Sequence, residues 1–138
     1  MGRVSLGRMV GVMPKQFCRH IVTVDLLETT NDYAIYRVTP VSEDLVTRGD
    51  SIRVVTGWFI WLAMDMCTAR WLADVEQLTG MTTSSNVEFL RAIRKPDFLL
   101  KVCPVVRERD NYTTQIEIFN GDTVYAKSTF VFKCKDIK

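Results

Sequence analysis

A chain of 138 residues with 47% apolar and 25% charged side chains is one ordinary domain, long enough to bury a core without metal or disulfide staples. Its net charge of +2 gives no ground for a nucleic-acid partner, and one histidine (His20) with four scattered cysteines (Cys18, Cys67, Cys103, Cys134) leaves little for a metal site, a disulfide framework or a His-centred triad. The longest apolar run, Trp58 to Met64, is too short to span a bilayer, so no membrane partner is expected.

Residues 1–20 carry Arg3, Arg8, Lys15 and Arg19 and no acid. The plainer expectation is a frayed basic extension on a cytoplasmic protein, and the alternative is mitochondrial or other organellar targeting. No repeat or linker divides the rest of the chain, so residues 1–138 read as a single domain. The β-branched and aromatic stretches 21–27 and 33–39 predict two antiparallel strands joined by a turn at Thr29 to Asp32. Residues 41–55 read as a connecting loop.

From Gly57 to Leu78 the chain has good helix formers, no proline, and apolar residues at nearly every position of its first three turns. That pattern predicts a buried helix with Thr56 as N-cap, Gly80 as stop, and a solvated side made by Arg70, Asp74, Glu76 and Gln77. Strands are expected next at 82–90, 98–107, 112–119 and 123–133. Arg109 to Asn111 marks one turn, and Asn120-Gly121 marks a type I′ hairpin. Pro104 inside a strand implies an edge or a bulge. The order is strand, strand, long helix, then a meander: an α+β fold in which one antiparallel sheet wraps a central helix.

That order, with Thr56-Gly57-Trp58 opening the helix and Asp65 two turns on, resembles the hotdog-fold acyl-CoA thioesterases of the PaaI type. The family opens this helix with His-Gly-Gly, so Thr56 stands for its histidine and Trp58 for its second glycine. Asp50 stands where an asparagine is common. Val87 to Arg91 and Phe119 to Ala126 also resemble the family's strand and closing hairpin. The likeness covers about residues 21 to 133. It implies a homodimer or a dimer of dimers with sites at the subunit interface. It further implies an acyl-CoA substrate and no cofactor beyond the coenzyme A of that substrate.

Thioester hydrolysis needs a base or nucleophile beside the carbonyl carbon and donors aimed at the developing oxyanion. Asp65 inside an apolar helix fits the first, because burial raises a carboxyl pKa toward that of a useful base. The Gly57 N–H at the helix N-terminus fits the second. Thr82 matches the family's hydroxyl that orients water. Ser84 shares its strand face by simple alternation, and Asp50 is a second carboxylate. Thr56, Trp58 and Trp61 are candidates for the wall of the acyl site. Arg91, Arg94 and Lys95 are candidates for coenzyme A phosphates, with Arg107 and Arg109 weaker.

Each residue also has a plainer structural reading. Asp65 would bond a neighbouring backbone group or form an interface ion pair. Gly57 would allow close packing of helix on sheet, the Thr82 run would make a turn, the tryptophans would fill the core, and the basic group would be a solvated loop. A dehydratase on this fold needs a histidine near the helix, and His20 is far from it in sequence. A serine hydrolase lacks its G-x-S-x-G. The remaining alternative is a non-catalytic hotdog protein that binds acyl groups or only assembles with a partner.

Overall fold

The computed structural model describes residues 3–5, 22–42, 46–49, 54–95 and 97–137. Its strands are β1 (Arg3–Ser5), β2 (Val22–Thr29), β3 (Ala34–Pro40), β4 (Thr47–Arg48), β5 (Val54–Val55), β6 (Leu78–Phe89), β7 (Phe98–Glu108), β8 (Asn111–Asn120) and β9 (Thr123–Asp136). Between β5 and β6 runs the helix α1 (Gly57–Asp74). Seven strands form one sheet in the order β1-β2-β3-β7-β8-β9-β6, every neighbouring pair antiparallel, and β4 and β5 make a separate two-stranded ribbon.

Period-two patterning decides which face of the sheet is inside. Val22, Val24 and Leu26 of β2, Tyr36 and Val38 of β3, and Phe98, Leu100 and Val102 of β7 point inward, as do Ile116 and Ile118 of β8 and Phe130 and Phe132 of β9. Helix α1 lies across that face against β3, β6 and β7, burying Phe59, Ile60, Leu62 to Met64, Met66, Cys67, Trp71 and Leu72. Each large apolar side chain so enclosed contributes about 1.5–3 kcal/mol relative to exposure.

The order of elements along the chain and the helix agree with the expectation from sequence. The meander runs through β7, β8 and β9, while β6 returns beside β9 at the sheet edge. Several local readings are corrected. The first turn is held by Thr30, whose hydroxyl accepts the amides of Asp32 at 3.1 Å and Tyr33 at 3.2 Å. Arg3–Ser5 of the basic extension pairs with Thr23 to Asp25 as an added edge strand. Cys18 and His20 lie outside the described residues. Part of the expected loop 41–55 is the β4–β5 ribbon.

Helix α1 stops at Asp74, not Leu78, and Gln77 takes a positive φ of 58° before β6 begins. Gly80 is therefore a strand residue and not a helix stop. Arg70, expected on a solvated side, is buried and bonds Asp74 through Nε at 2.8 Å. The last hairpin turns on Gly121-Asp122, because Asn120 still pairs with Thr123 and only Gly121, at φ +59°, is left-handed. That is the pattern of a type II′ turn, with glycine at the first central position. Pro104 sits just past Val102, the last β7 residue paired to β3, and beside a bulge at Val105, the edge or bulge setting expected of a strand proline.

Two glycines make a matched test of packing. A Cβ on Gly80 would lie 2.5 Å from the Lys133 carbonyl oxygen and 3.1 Å from the Cys134 Cα, both backbone atoms of β9 that cannot yield cheaply. A Cβ on Gly57 would meet only the Phe89 ring at 3.6 Å, an ordinary contact. Gly80→Ala is expected to lower the stability to denaturant by about 1–3 kcal/mol, the scale of overpacking. Gly57→Ala should change it by less than about 0.5 kcal/mol. Urea unfolding of both variants beside the parent checks the pair.

Candidate active site

One face of α1 carries Gly57, Trp61 and Asp65 at four-residue spacing, and all three meet the inward side chains of the edge strand β6. Phe89 lies against Gly57, the Ser85 hydroxyl accepts the Trp61 indole N–H at 3.0 Å, and the Thr82 hydroxyl donates to the Asp65 carboxylate. A bulge at Thr83 makes this alignment possible. It shifts the strand's alternation by one residue, so that Ser85, not Ser84, shares the inward face with Thr82. Thr83 instead donates to the Val131 carbonyl at 3.2 Å.

Asp65 is only 7% exposed. Burial raises its carboxyl above the usual range, and the Thr82 hydrogen bond opposes part of that rise by stabilising the charged form. Among the described residues no cation compensates it, since the nearby helix charge Arg70 is engaged by Asp74. A buried carboxylate held by one neutral hydroxyl is a strengthened base.

At the helix start Thr56 occupies the cap position without a capping side-chain bond, and no acid sits in the first turn. Its hydroxyl donates to the Val46 carbonyl at 3.0 Å, and its amide donates to the same oxygen at 2.7 Å. The β4–β5 ribbon thus fixes the entry to the helix, and the Thr56 side chain leaves the first-turn amides uncapped, a setting that attracts negative charge. Gly57 borders a groove of about 420 Å³ lined by Val54, Val55, Ile60, Phe89, Leu90 and the segment Arg91 to Ile93. Trp58 is not among its walls. It stands 47% exposed with its ring edge-on to Phe59.

The basic candidates divide between two neighbouring depressions. Arg91 borders the Gly57 groove, while Arg94 and Lys95 line a second one of about 340 Å³ with Asp97, Asn120 and Tyr125. Ala92 and Ile93 belong to both. The segment is anchored where the Leu90 and Arg91 amides donate to the Tyr125 carbonyl at 2.8 and 3.1 Å. Arg107 lies at the far end of β7, its ring-side contact being Tyr112, and Arg109 forms the β7–β8 turn. Asp50 lies outside the described residues. Asp65 and Thr82, which the family resemblance singles out, are in contact, whereas nothing in the sequence gives a sign of Ser85, because a bulge within four consecutive hydroxyl residues leaves no mark in the pattern.

No family model matches the chain, and no curated protein matches it. Solved structures do. A Streptococcus mutans protein bound to acetyl CoA superposes with a TM-score of 0.68 at 16% identity, covering 82% of this chain and 89% of that one. The PaaI protein of the E. coli phenylacetic acid degradation operon gives 0.67 at 13% identity over 80% and 82%. A Haemophilus influenzae thioesterase gives 0.63 at 19% identity over 82% and 78%. The chain has the hotdog fold. Among the described residues of this hotdog protein, no helix is long and apolar enough to cross a membrane.

The Asp65 environment has a measurable consequence. Because the folded-state pKa lies above the open value of 3.8, the protonated form is favoured on folding. The stability contributed by this group is fully present below pH 3.8 and is lost as pH rises through the folded pKa. Asp65→Asn should therefore be more stable than the parent at neutral pH, with the advantage shrinking as pH falls toward that value. Thr82→Val, which removes the one bond favouring the charged form, should raise the Asp65 pKa further. Carboxyl-carbon NMR titration and pH-dependent unfolding read the two effects.

Proposed function

We propose that this chain is an acyl-CoA thioesterase whose site is completed by a second copy of itself. The observation that carries the reading is the buried Asp65 carboxyl on the central helix of a hotdog fold, held by Thr82 and, among the described residues, by no cation. In an acyl-binding or assembly protein Asp65 would be paired off with a cation such as an arginine, and among the described residues of one chain it has no such partner. Trp58, which would have to fill the groove in a purely structural protein, stands outside it.

Asp65 acts as general base, with direct nucleophilic attack as the alternative use of the same carboxylate. As base it takes a proton from water while the water oxygen attacks the thioester carbonyl carbon, and Thr82 orients the reacting groups. The carbonyl oxygen becomes an oxyanion that accepts the Gly57 N–H at a helix N-terminus. When the tetrahedral centre collapses, the carbon–sulfur bond breaks and the coenzyme A thiolate leaves, taking up the proton. Within one chain Gly57 and Asp65 lie about 12 Å apart along the helix axis, at about 1.5 Å per residue. One carbonyl cannot touch both.

A two-fold dimer resolves this by setting the Gly57 amide of one copy beside the Asp65 of the other. β6 suits such an interface. It is an edge strand of the sheet, with exposed Met81 and Phe89 and exposed Leu90 just beyond it. Arg91, Arg94 and Lys95 are then the phosphate contacts of the coenzyme. The acetyl CoA held by the Streptococcus mutans protein of this fold supports that ligand class. Asp50 is the second carboxylate of the reading, next in line as base.

Thiol release from a panel of acyl-CoA thioesters should show turnover by a dimer or dimer of dimers in sedimentation. It should fall at least about a hundredfold in Asp65→Asn, the scale of a lost positioned base. No turnover across short, long and aromatic acyl groups rejects the enzyme in favour of an acyl-binding or assembly protein. Turnover that survives the substitution moves the base to Asp50. In a second assay, replacing Arg94 and Lys95 together by Ala should raise KM for acyl-CoA by about tenfold with kcat little changed. The corresponding acyl-pantetheine, which lacks the nucleotide phosphates, should show no such difference.

A further inference from the structure

Among the described residues β6 has β9 as its one ladder partner, so its other edge carries free backbone donors and acceptors. Thr82 and Ser84 face the consecutive β9 residues Phe132 and Val131, which leaves Thr83 as the extra residue of the bulge. From Thr82 to Phe89 the strand therefore has eight residues but seven rungs, and the middle rung is Asn86. Thr82, Ser85, Val87 and Phe89 point inward, to Asp65, Trp61, the core and Gly57 respectively. Asn86 and Glu88 point outward, lining a polar depression with Gln115, Glu117 and Lys127.

Resting on the two-subunit thioesterase reading above, we propose that β6 pairs antiparallel with β6 of a second copy, with Asn86 on the two-fold axis. Directly opposed residues of an antiparallel pair project from the same face. This register sets Asn86 against its own copy, Ser85 against Val87, Ser84 against Glu88 and Thr82 against Phe89, and every pair shares a face. The last pair completes the site. Thr82 holds Asp65 and Phe89 lies on Gly57, so the Gly57 amide of one copy comes to the Asp65 of the other. An unbulged strand cannot do this, because with eight rungs Thr82 and Phe89 would lie on opposite faces. Moving the axis by one rung slides the second copy by two, about 7 Å, and separates Gly57 from Asp65. Charge suits the same register. Glu88 is the one charged residue from Thr82 to Phe89, and it stands opposite Ser84 rather than opposite itself. Trp61, 38% exposed in one chain, lies beside the axis through its bond to Ser85 and becomes the apolar anchor of the interface.

Disulfide mapping on the full chain tests the register without any assay of activity. Ser84→Cys, Asn86→Cys and Glu88→Cys are made singly in a chain whose Cys18 and Cys103 are replaced by Ser, Cys67 and Cys134 being buried. With oxidised glutathione, Asn86→Cys should give a linked dimer, because opposed residues bring their Cα atoms to about 4.5–5.5 Å, within disulfide reach. Ser84→Cys and Glu88→Cys lie four rungs, about 13 Å, from their own copies and should link at least about tenfold less. Mixed together, those two variants should link to each other. In sedimentation, Asn86→Lys sets two like charges in contact and should raise the dimer dissociation constant at least about tenfold, with Glu88→Lys shifting it far less. Linkage strongest at Ser84 or Glu88, linkage at none of the three, or a monomer in sedimentation overturns the register. A protein that links at Asn86 and hydrolyses nothing keeps the register and loses the thioesterase reading alone. Asp65-dependent turnover without linkage at Asn86 does the reverse.

Discussion

The contact of α1 with the edge strand β6 is the constraint on which the rest depends. Three residues on one face of α1, Gly57, Trp61 and Asp65, take three different kinds of partner on this strand: a ring, a hydroxyl that accepts, and a hydroxyl that donates. Those contacts require β6 to present Phe89, Ser85 and Thr82 on one side, and regular alternation cannot do that from odd- and even-numbered positions together. The bulge at Thr83 supplies the missing half-step. Gly80, farther along the same strand, lets β9 come close enough to hold β6 in place. A strand with one neighbour, bent at a bulge and held by a glycine contact, is thus the part that aligns the helix face.

Much of this fold is legible in the sequence because its signals are local and redundant. Period-two alternation marks β2, β3, β7, β8 and β9 independently, and the apolar stretch from Gly57 can hardly be anything but a buried helix. Asp65 stands out as a charge within a mostly apolar stretch of helix, and its chemical reading comes from the family resemblance. Features set by partners distant in sequence are not legible. Thr56 looks like a cap because it precedes a helix, yet Val46 captures its hydroxyl. Gly80 looks like a helix stop because it comes after one, yet its role is to let the β9 backbone approach. Alternation points to Ser84 rather than Ser85 because it is the only rule a sequence offers, and a bulge breaks it silently.

Two ionisable side chains lie inside a helix that composition describes as apolar, and they are accommodated in opposite ways. Arg70 is given a carboxylate one turn on, Asp74, at 2.8 Å, although its Nη1 finds no partner. That charge is balanced by a carboxylate that is itself 35% exposed, so solvent shares in screening the pair. Asp65 is given a hydroxyl. Thr82 satisfies one oxygen without neutralising the charge, so burial still raises the carboxyl pKa. If stability alone governed this helix, the simplest remedy would be a cation at position 82 or an amide at 65. Arg70 and Asp74 show that the same helix accommodates an ion pair. What separates the two carboxylates is their surroundings: Asp74 offsets a neighbour's charge, while Asp65 keeps a raised proton affinity, the property that the proposed role as general base would use.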